Sequence, residues 1–204
     1  MIRILCFGDS NTYGYRPDGL GRFDEKMRWP MLLGKLLGAE YQIVEEGLCG
    51  RTTVFDNPVN PGRRGSDQIG MLMESHNPVD LLLVMLGTND YKVRYQTSVS
   101  QIVQGMDQVI KKALEKASGT PKILMISPVH LMAGVEDIDP EYDVASVEKS
   151  CKMAEKLENY AREQGYFFLD AATVAAPGRD GEHMEAEGHQ ALAAALYKTC
   201  YGFK

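Results

Sequence analysis

Leu81-Leu82-Leu83-Val84-Met85-Leu86 is an unbroken apolar run, and it limits the fold more than any other segment. Successive strand residues point to opposite faces, so such a run needs cover on both sides, as a central strand of a parallel sheet has. Further strand-like runs fall at 2–7, 41–45, 122–127 and 166–169. Amphipathic stretches near 28–38, 66–76, 98–117 and 144–164 separate them, and a last helix is expected near 186–198. Strands and helices alternating at this length predict right-handed βαβ units around a parallel sheet. No repeat, linker or low-complexity tract divides the chain, so 1–204 is read as a single α/β domain.

Charge and composition remove several classes of function. Twenty-two basic residues against twenty-eight acidic ones give a net charge of −6. That balance speaks against a general attraction to nucleic acid or anionic lipid, and Arg63-Arg64 is too short a basic cluster to reverse it. The chain opens on a strand with Arg3 as its early charge, and no run reaches membrane-spanning length. Neither a secretory signal nor a membrane anchor is therefore expected. Cys6, Cys49, Cys151 and Cys200 are far apart without CxxC spacing, which reads as reduced thiols in a cytoplasmic protein. No His, Cys, Asp and Glu cluster has metal-ligand spacing, so the chemistry is expected to need neither metal nor cofactor.

The chemistry-bearing residues follow the strands. Gly8-Asp9-Ser10-Asn11 turns sharply out of the first run and leaves the Ser10 hydroxyl at the sheet edge. The segments 51–65, 87–97 and 128–143 follow the second, third and fourth strands. All lie at the carboxyl edge where open α/β sheets bind ligands, and loops of this length are commonly functional. Taken singly, each motif has a plain reading. Ser10 and Asn11 suit a helix N-cap, Asn89-Asp90 an Asx turn, and Asp180-Gly181 an ordinary turn.

Taken together, four blocks in order carry a resemblance: Gly8-Asp9-Ser10, Gly50, Gly87-Thr88-Asn89-Asp90 and Asp180-x-x-His183. They resemble the SGNH hydrolases, also called the GDSL esterase/lipase family. Gly8 to Gly14 and Glu45 to Thr53 are similar to the bacterial aryl esterase/acyltransferase branch. The resemblance implies a flavodoxin-like three-layer α/β/α sandwich with a five-stranded parallel sheet in the order 2-1-3-4-5. Ser10, Gly50 and Asn89 then converge at the topological switch point.

The resemblance also implies roles. Ser10 is the nucleophile, His183 its general base and later acid, and Asp180 the carboxylate that orients the imidazole. The oxyanion donors are the Ser10 and Gly50 backbone N–H groups and the Asn89 amide. Asp9, Asn11, Tyr13 and Cys49 are expected around the substrate, with Tyr15 and the 128–143 loop in the pocket wall. The expected partner is a small ester, with short acyl groups, acetyl foremost, and with transfer to alcohols when water is excluded. A homo-oligomer is implied by likeness alone, and Leu131-Met132 suits either a pocket or a subunit contact.

Two other readings stand beside this one. A carbohydrate O-acetyl esterase would use the same residues with a differently shaped pocket. A flavodoxin-like phosphate-binding module would need no Asp-x-x-His turn, and the first turn lacks P-loop glycines and lysine. Elsewhere, Cys49 has no neighbour in sequence that would activate a thiol. His76 suits a helix C-terminus, His189 a packing or capping role, His130 a surface loop, and Trp29 a helix-start anchor.

Overall fold

The computed structural model describes residues 1–201. Strands β1 (Ile2–Gly8), β2 (Tyr41–Gly47), β3 (Leu81–Met85), β4 (Lys122–Ser127) and β5 (Phe167–Asp170) pair in parallel, in the order β2-β1-β3-β4-β5. This is the sheet that the sequence implied. The helices are α1 (Ser10–Tyr13), α2 (Trp29–Leu37), α3 (Gly65–His76), α4 (Val99–Lys116), α5 (Val144–Gln164) and α6 (Ala186–Cys200).

Strand alternation divides the core into two halves. Leu5, Phe7, Leu82, Val84, Ile123 and Met125 pack against Ile69 and Met73 of α3, Ile102 and Met106 of α4, and Met153 and Leu157 of α5. Their neighbours Ile4, Cys6, Leu81, Leu83, Leu124 and Ile126 meet Trp29 and Leu33 of α2 and Leu192 and Leu196 of α6. Three layers result, and every residue of β3 is buried because both of its faces are covered. Each fully buried Leu or Val contributes about 1.5–3 kcal/mol, so this central strand is a principal source of stability.

Helix ends follow local chemistry. Ser98 and Gln101 form a capping box at α4, and Asp143 and Ser146 form one at α5. Pro30 sits in the first turn of α2, where its missing N–H is harmless. Trp29 beside it is fully buried, as a helix-start anchor should be. His76 ends α3, but its Nε2 also meets Glu46 Oε1 on β2 at 2.9 Å, a partner that helix-end position alone did not reveal.

The short α1 was foreseen only as a turn, because four residues carry no period. It forms because Asp9 caps it, accepting from Asn11 N at 3.0 Å, and because two glycines let it lie against the strand ends. Gly8 and Gly47 are register partners on β1 and β2. A Cβ on Gly47 would stand 2.1 Å from Tyr13 N, and one on Gly8 would stand 2.0 Å from Thr12 Oγ1. Gly47→Ala is therefore expected to displace α1 and lower the thermal midpoint by about 5–10 °C, with activity falling too. Gly119→Ala, where an added Cβ meets nothing within 4 Å, is the control that should leave the midpoint in place. Equal midpoints for the two variants in a calorimetric scan would contradict this account.

Candidate active site

Four loops converge at the carboxyl ends of β1, β2 and β3 and before α6. Ser10 begins α1, which follows β1 directly. The Asp180–His183 turn is formed locally: Asp180 Oδ1 accepts the backbone N–H groups of Glu182 at 3.1 Å and His183 at 2.9 Å. The other oxygen, Oδ2, lies 2.7 Å from His183 Nδ1. That leaves Nε2 facing outward, 2.8 Å from Ser10 Oγ.

The turn is fastened from both sides. Asn11 Nδ2 donates to the Glu182 carbonyl at 3.0 Å, and Asn11 Oδ1 accepts from Met184 N at 2.9 Å. Asn11 thereby fixes the distance between serine and histidine. From behind, Met132 N donates to the Gly181 carbonyl at 2.9 Å. Tyr15 covers the imidazole, with ring centroids 4.8 Å apart.

The electrostatics match a base that holds a proton well. Burial pushes Asp180 up, but the hydrogen bonds from His183 outweigh it and leave the carboxyl below its usual range. Burial pulls His183 down, and the Asp180 hydrogen bond together with the charges of Glu182, Asp180 and Asp9 overcomes this. The imidazole is raised above its ordinary value. Asp9 itself is fully enclosed, and burial pushes it up to about 6 against the Asn11 N–H that it accepts.

Gly50 and Asn89 complete the arrangement. Gly50 has φ +77°, the left-handed region that suits glycine. Its loop is anchored by Arg51, a buried side chain that donates to the Gly8 carbonyl at 2.6 Å, to the Glu46 carbonyl, and to Gln68 Oε1 at 2.7 Å. The guanidinium also lies over the Phe7 ring at 4.1 Å. Burial lowers Arg51 to about 10. Asn89 Nδ2 donates to the Arg51 carbonyl at 3.1 Å, using one of its two amide hydrogens. Next to it, Asp90 accepts from Thr53 N at 3.0 Å and from Thr53 Oγ1 at 2.5 Å, tying the loop after β3 to the loop after β2. Burial pushes Asp90 up to about 7.

These residues border a cleft of about 210 Å³, lined by Ser10, Gly50, Asn89 and His183 together with Tyr15, Cys49, Lys92 and Glu182. A groove of about 500 Å³ between α4 and α5 is larger, but its lining, which includes Val103, Lys156 and Tyr160, carries no comparable nucleophile and base.

Several residues stand differently from expectation. Asp9 and Asn11 are buried and hold α1 and the histidine turn instead of lining the cleft. Tyr13 points away, its ring under the Arg22 guanidinium at 4.3 Å. The 128–143 loop packs behind the histidine turn, with Leu131 buried in the core. Cys49 does line the cleft, and burial with Asp9's charge pushes its thiol up to about 11, away from the reactive range. His189 is buried and accepts from Trp29 N at 3.3 Å through Nδ1. Burial lowers it to about 4, which suits a neutral packing residue.

Sequence reasoning assigned no role to Lys92, Glu182, Arg51 or Asp90. Their only signal was position, in the loops that follow strands two and three or in the Asp180–His183 turn, which does not specify orientation. Among the described residues, no group of three or more His, Cys, Asp or Glu side chains is placed to hold a metal ion.

Comparison with known proteins identifies the family. A family model described as GDSL-like lipase/acylhydrolase matches residues 6–191. The M. smegmatis aryl esterase structure is 32% identical, with 100% of both chains covered and a TM-score of 0.92. A carbohydrate acetylesterase family member from Sinorhizobium meliloti is 30% identical, covering 100% of this chain and 99% of its own, again with a TM-score of 0.92. No curated protein sequence gives a significant match. The family match begins within β1, ahead of Ser10, and ends within α6, beyond His183, and on that span the chain belongs to the GDSL-like lipase/acylhydrolase family.

Proposed function

We propose that the protein is a serine esterase that hydrolyses short-chain acyl esters, acetyl foremost, through an acyl-Ser10 intermediate. The observation that carries this reading is the continuous hydrogen-bonded line from Ser10 Oγ through His183 to Asp180. In the first half-reaction Ser10 Oγ attacks the ester carbonyl carbon while its proton passes to His183 Nε2. Asp180 holds the resulting imidazolium without taking its proton. The tetrahedral oxyanion is met by the N–H of Ser10 at the start of α1, the Gly50 N–H and the second Asn89 amide hydrogen. Collapse expels the alkoxide, which takes the proton from His183 and leaves as alcohol. Water then attacks the acyl-enzyme with His183 again as base, releasing the carboxylic acid and restoring Ser10.

Cleft size supports a short acyl group. About 210 Å³ falls below the roughly 300–1,000 Å³ typical of sites for drug-sized ligands. The similarity to an aryl esterase supports aryl acetates, with transfer to alcohols wherever water is kept out. A second reading, carbohydrate O-acetyl ester hydrolysis, is favoured by the charged side chains Lys92 and Glu182 lining the cleft, which suit a hydroxyl-rich alcohol. The relationship to the S. meliloti carbohydrate acetylesterase supports the same reading. A homo-oligomer in a reducing, cytoplasmic setting belongs to the proposal, and four free thiols suit that setting.

The test is a panel of p-nitrophenyl esters and acetylated sugars, measured across pH. Acetate should exceed octanoate by at least tenfold in kcat/KM. A greater kcat/KM on acetylated sugars than on aryl acetates would select the second reading. Only neutral His183 can accept the serine proton, so kcat/KM should fall as pH drops through its value. That acid limb should lie above the ordinary ~6.5, because the site raises the imidazole. A pH-independent rate between 5 and 8 would oppose the mechanism.

A further inference from the structure

We propose that Glu182 is a positioning residue for the same reaction, a second carboxylate that holds and shares the charge of the His183 imidazolium beside Asp180. The proposal rests on the reading of Ser10, His183 and Asp180 as the reacting set. Two carboxylates approach the same nitrogen: Asp180 Oδ2 lies 2.7 Å from His183 Nδ1, and Glu182 Oε1 lies 3.5 Å from it. The first is a hydrogen bond. The second is too long to be a strong one and acts as a charge in close contact.

Glu182 is held there at three points. Its Oε2 accepts the Tyr142 hydroxyl at 2.6 Å. Its carbonyl accepts from Asn11, and its N–H donates to Asp180. Tyr142 is immobile in turn: it is buried, and the Lys92 ammonium, itself paired with Glu141, stands 5.4 Å from its ring centroid. Burial pushes the Tyr142 phenol well above its ordinary range, so it remains a donor to Glu182 at all working pH values. A surface glutamate that served only solubility would not be fixed on the rear nitrogen of the base.

The other charges around His183 define what Glu182 adds. Asp180 shares the histidine turn, Asp9 approaches from the start of α1, and His189 stands on α6. Lys92 faces Glu182 from the loop after β3 and tempers its charge. Tyr15 covers the ring without contributing charge to it. Glu182 is therefore one of three acidic groups acting on the imidazolium, and the one placed in the cleft itself.

In the proton transfer, the Ser10 proton moves to Nε2 and the Nδ1 proton stays between His183 and Asp180. No bond to Glu182 forms or breaks. Its negative charge makes the imidazolium easier to form and keeps a carboxylate at Nδ1 when Asp180 is neutralised.

The experiment uses Glu182→Gln, which keeps the size of the side chain and an acceptor for Tyr142. His183 is titrated by NMR of its imidazole in the wild type and in the variant, a readout that needs no turnover. The expected result is a midpoint lower by about one pH unit, with the acid limb of kcat/KM for p-nitrophenyl acetate moving equally. In a second arm, Asp180→Asn/Glu182→Gln should be about 10-fold slower than Asp180→Asn alone, because the remaining carboxylate has gone. A purely structural tether would lower stability and leave the His183 midpoint unmoved. An unchanged midpoint, or a double variant as fast as Asp180→Asn, overturns the proposal. A wild type inert to every ester would instead overturn the esterase reading, and the NMR titration would still decide whether Glu182 acts on His183.

Discussion

Ser10→Ala should abolish both p-nitrophenyl acetate turnover and labelling by a fluorophosphonate probe, with a loss of about 10⁶-fold in kcat, the scale seen when a triad serine is removed. The structure explains why this loss should come without unfolding. Ser10 Oγ bonds to His183 Nε2 at 2.8 Å and caps nothing, since the N-cap of α1 is Asp9. Alanine is also the best helix former, so α1 is not weakened by the change. The circular dichroism spectrum and thermal midpoint should therefore match the wild type. If the variant kept even a hundredth of wild-type turnover, another nucleophile would have to be found. Cys49, beside it in the cleft, is the first to examine, although its raised thiol speaks against it. Probe labelling separates the two cases, because a serine-directed phosphonate should not survive the loss of Ser10.

Asn89 carries the second large effect. Its side-chain amide is aimed by one hydrogen bond to the Arg51 carbonyl, and in the proposed mechanism its second hydrogen meets the charge that appears in the transition state. Asn89→Ala should lower kcat about 10²–10³-fold, or about 2.7–4 kcal/mol, with little change in KM. The same change leaves the buried Arg51 carbonyl without its partner, at a cost of about 1–3 kcal/mol in stability. At about 2–4 °C for each kcal/mol in a chain of this size, the midpoint should fall by several degrees. Kinetics are therefore measured well below that midpoint. Asn89→Asp removes the donors and places an anion where the oxyanion forms, so it should be slower still than alanine. If KM rose in proportion to the fall in kcat/KM while kcat held, Asn89 would be binding the ground state and the oxyanion assignment would fail.

Both residues were named from the sequence, and the elements around them were legible to different degrees. The apolar runs marked all five strands; β4 kept its expected bounds, and the ends of the other four moved by one or two residues because strand termini depend on what lies across the pair. β2 continues to Gly47, for example, since Gly47 has Gly8 to pair with. The motif order named Ser10, Gly50, Asn89, Asp180 and His183, and the structure sets these around one cleft. It did not reveal that Asn11 is a strut, that Tyr13 turns toward Arg22, or that Arg51 underlies the Gly50 loop. Each of those depends on loop torsions that no periodic pattern encodes.

What the sequence by itself determined is whatever lies within a few residues. The period of two in each strand sorts the core into its two halves, and the capping boxes start α4 and α5. The three-residue spacing lets Asp180 fold back on His183 without help from elsewhere. Tertiary structure alone decided the contacts across long separations. Ser10 and His183 are 173 positions apart and meet because β1 lies inside the sheet, between β2 and β3, and Asn11 clamps the histidine turn to α1. Tyr142 reaches Glu182 across 40 positions because the segment leading into α5 packs beside the cleft. Local propensity depends on neighbours along the chain, whereas the aim of a side chain into a cleft depends on how whole elements pack, and packing is a property of the assembled layers.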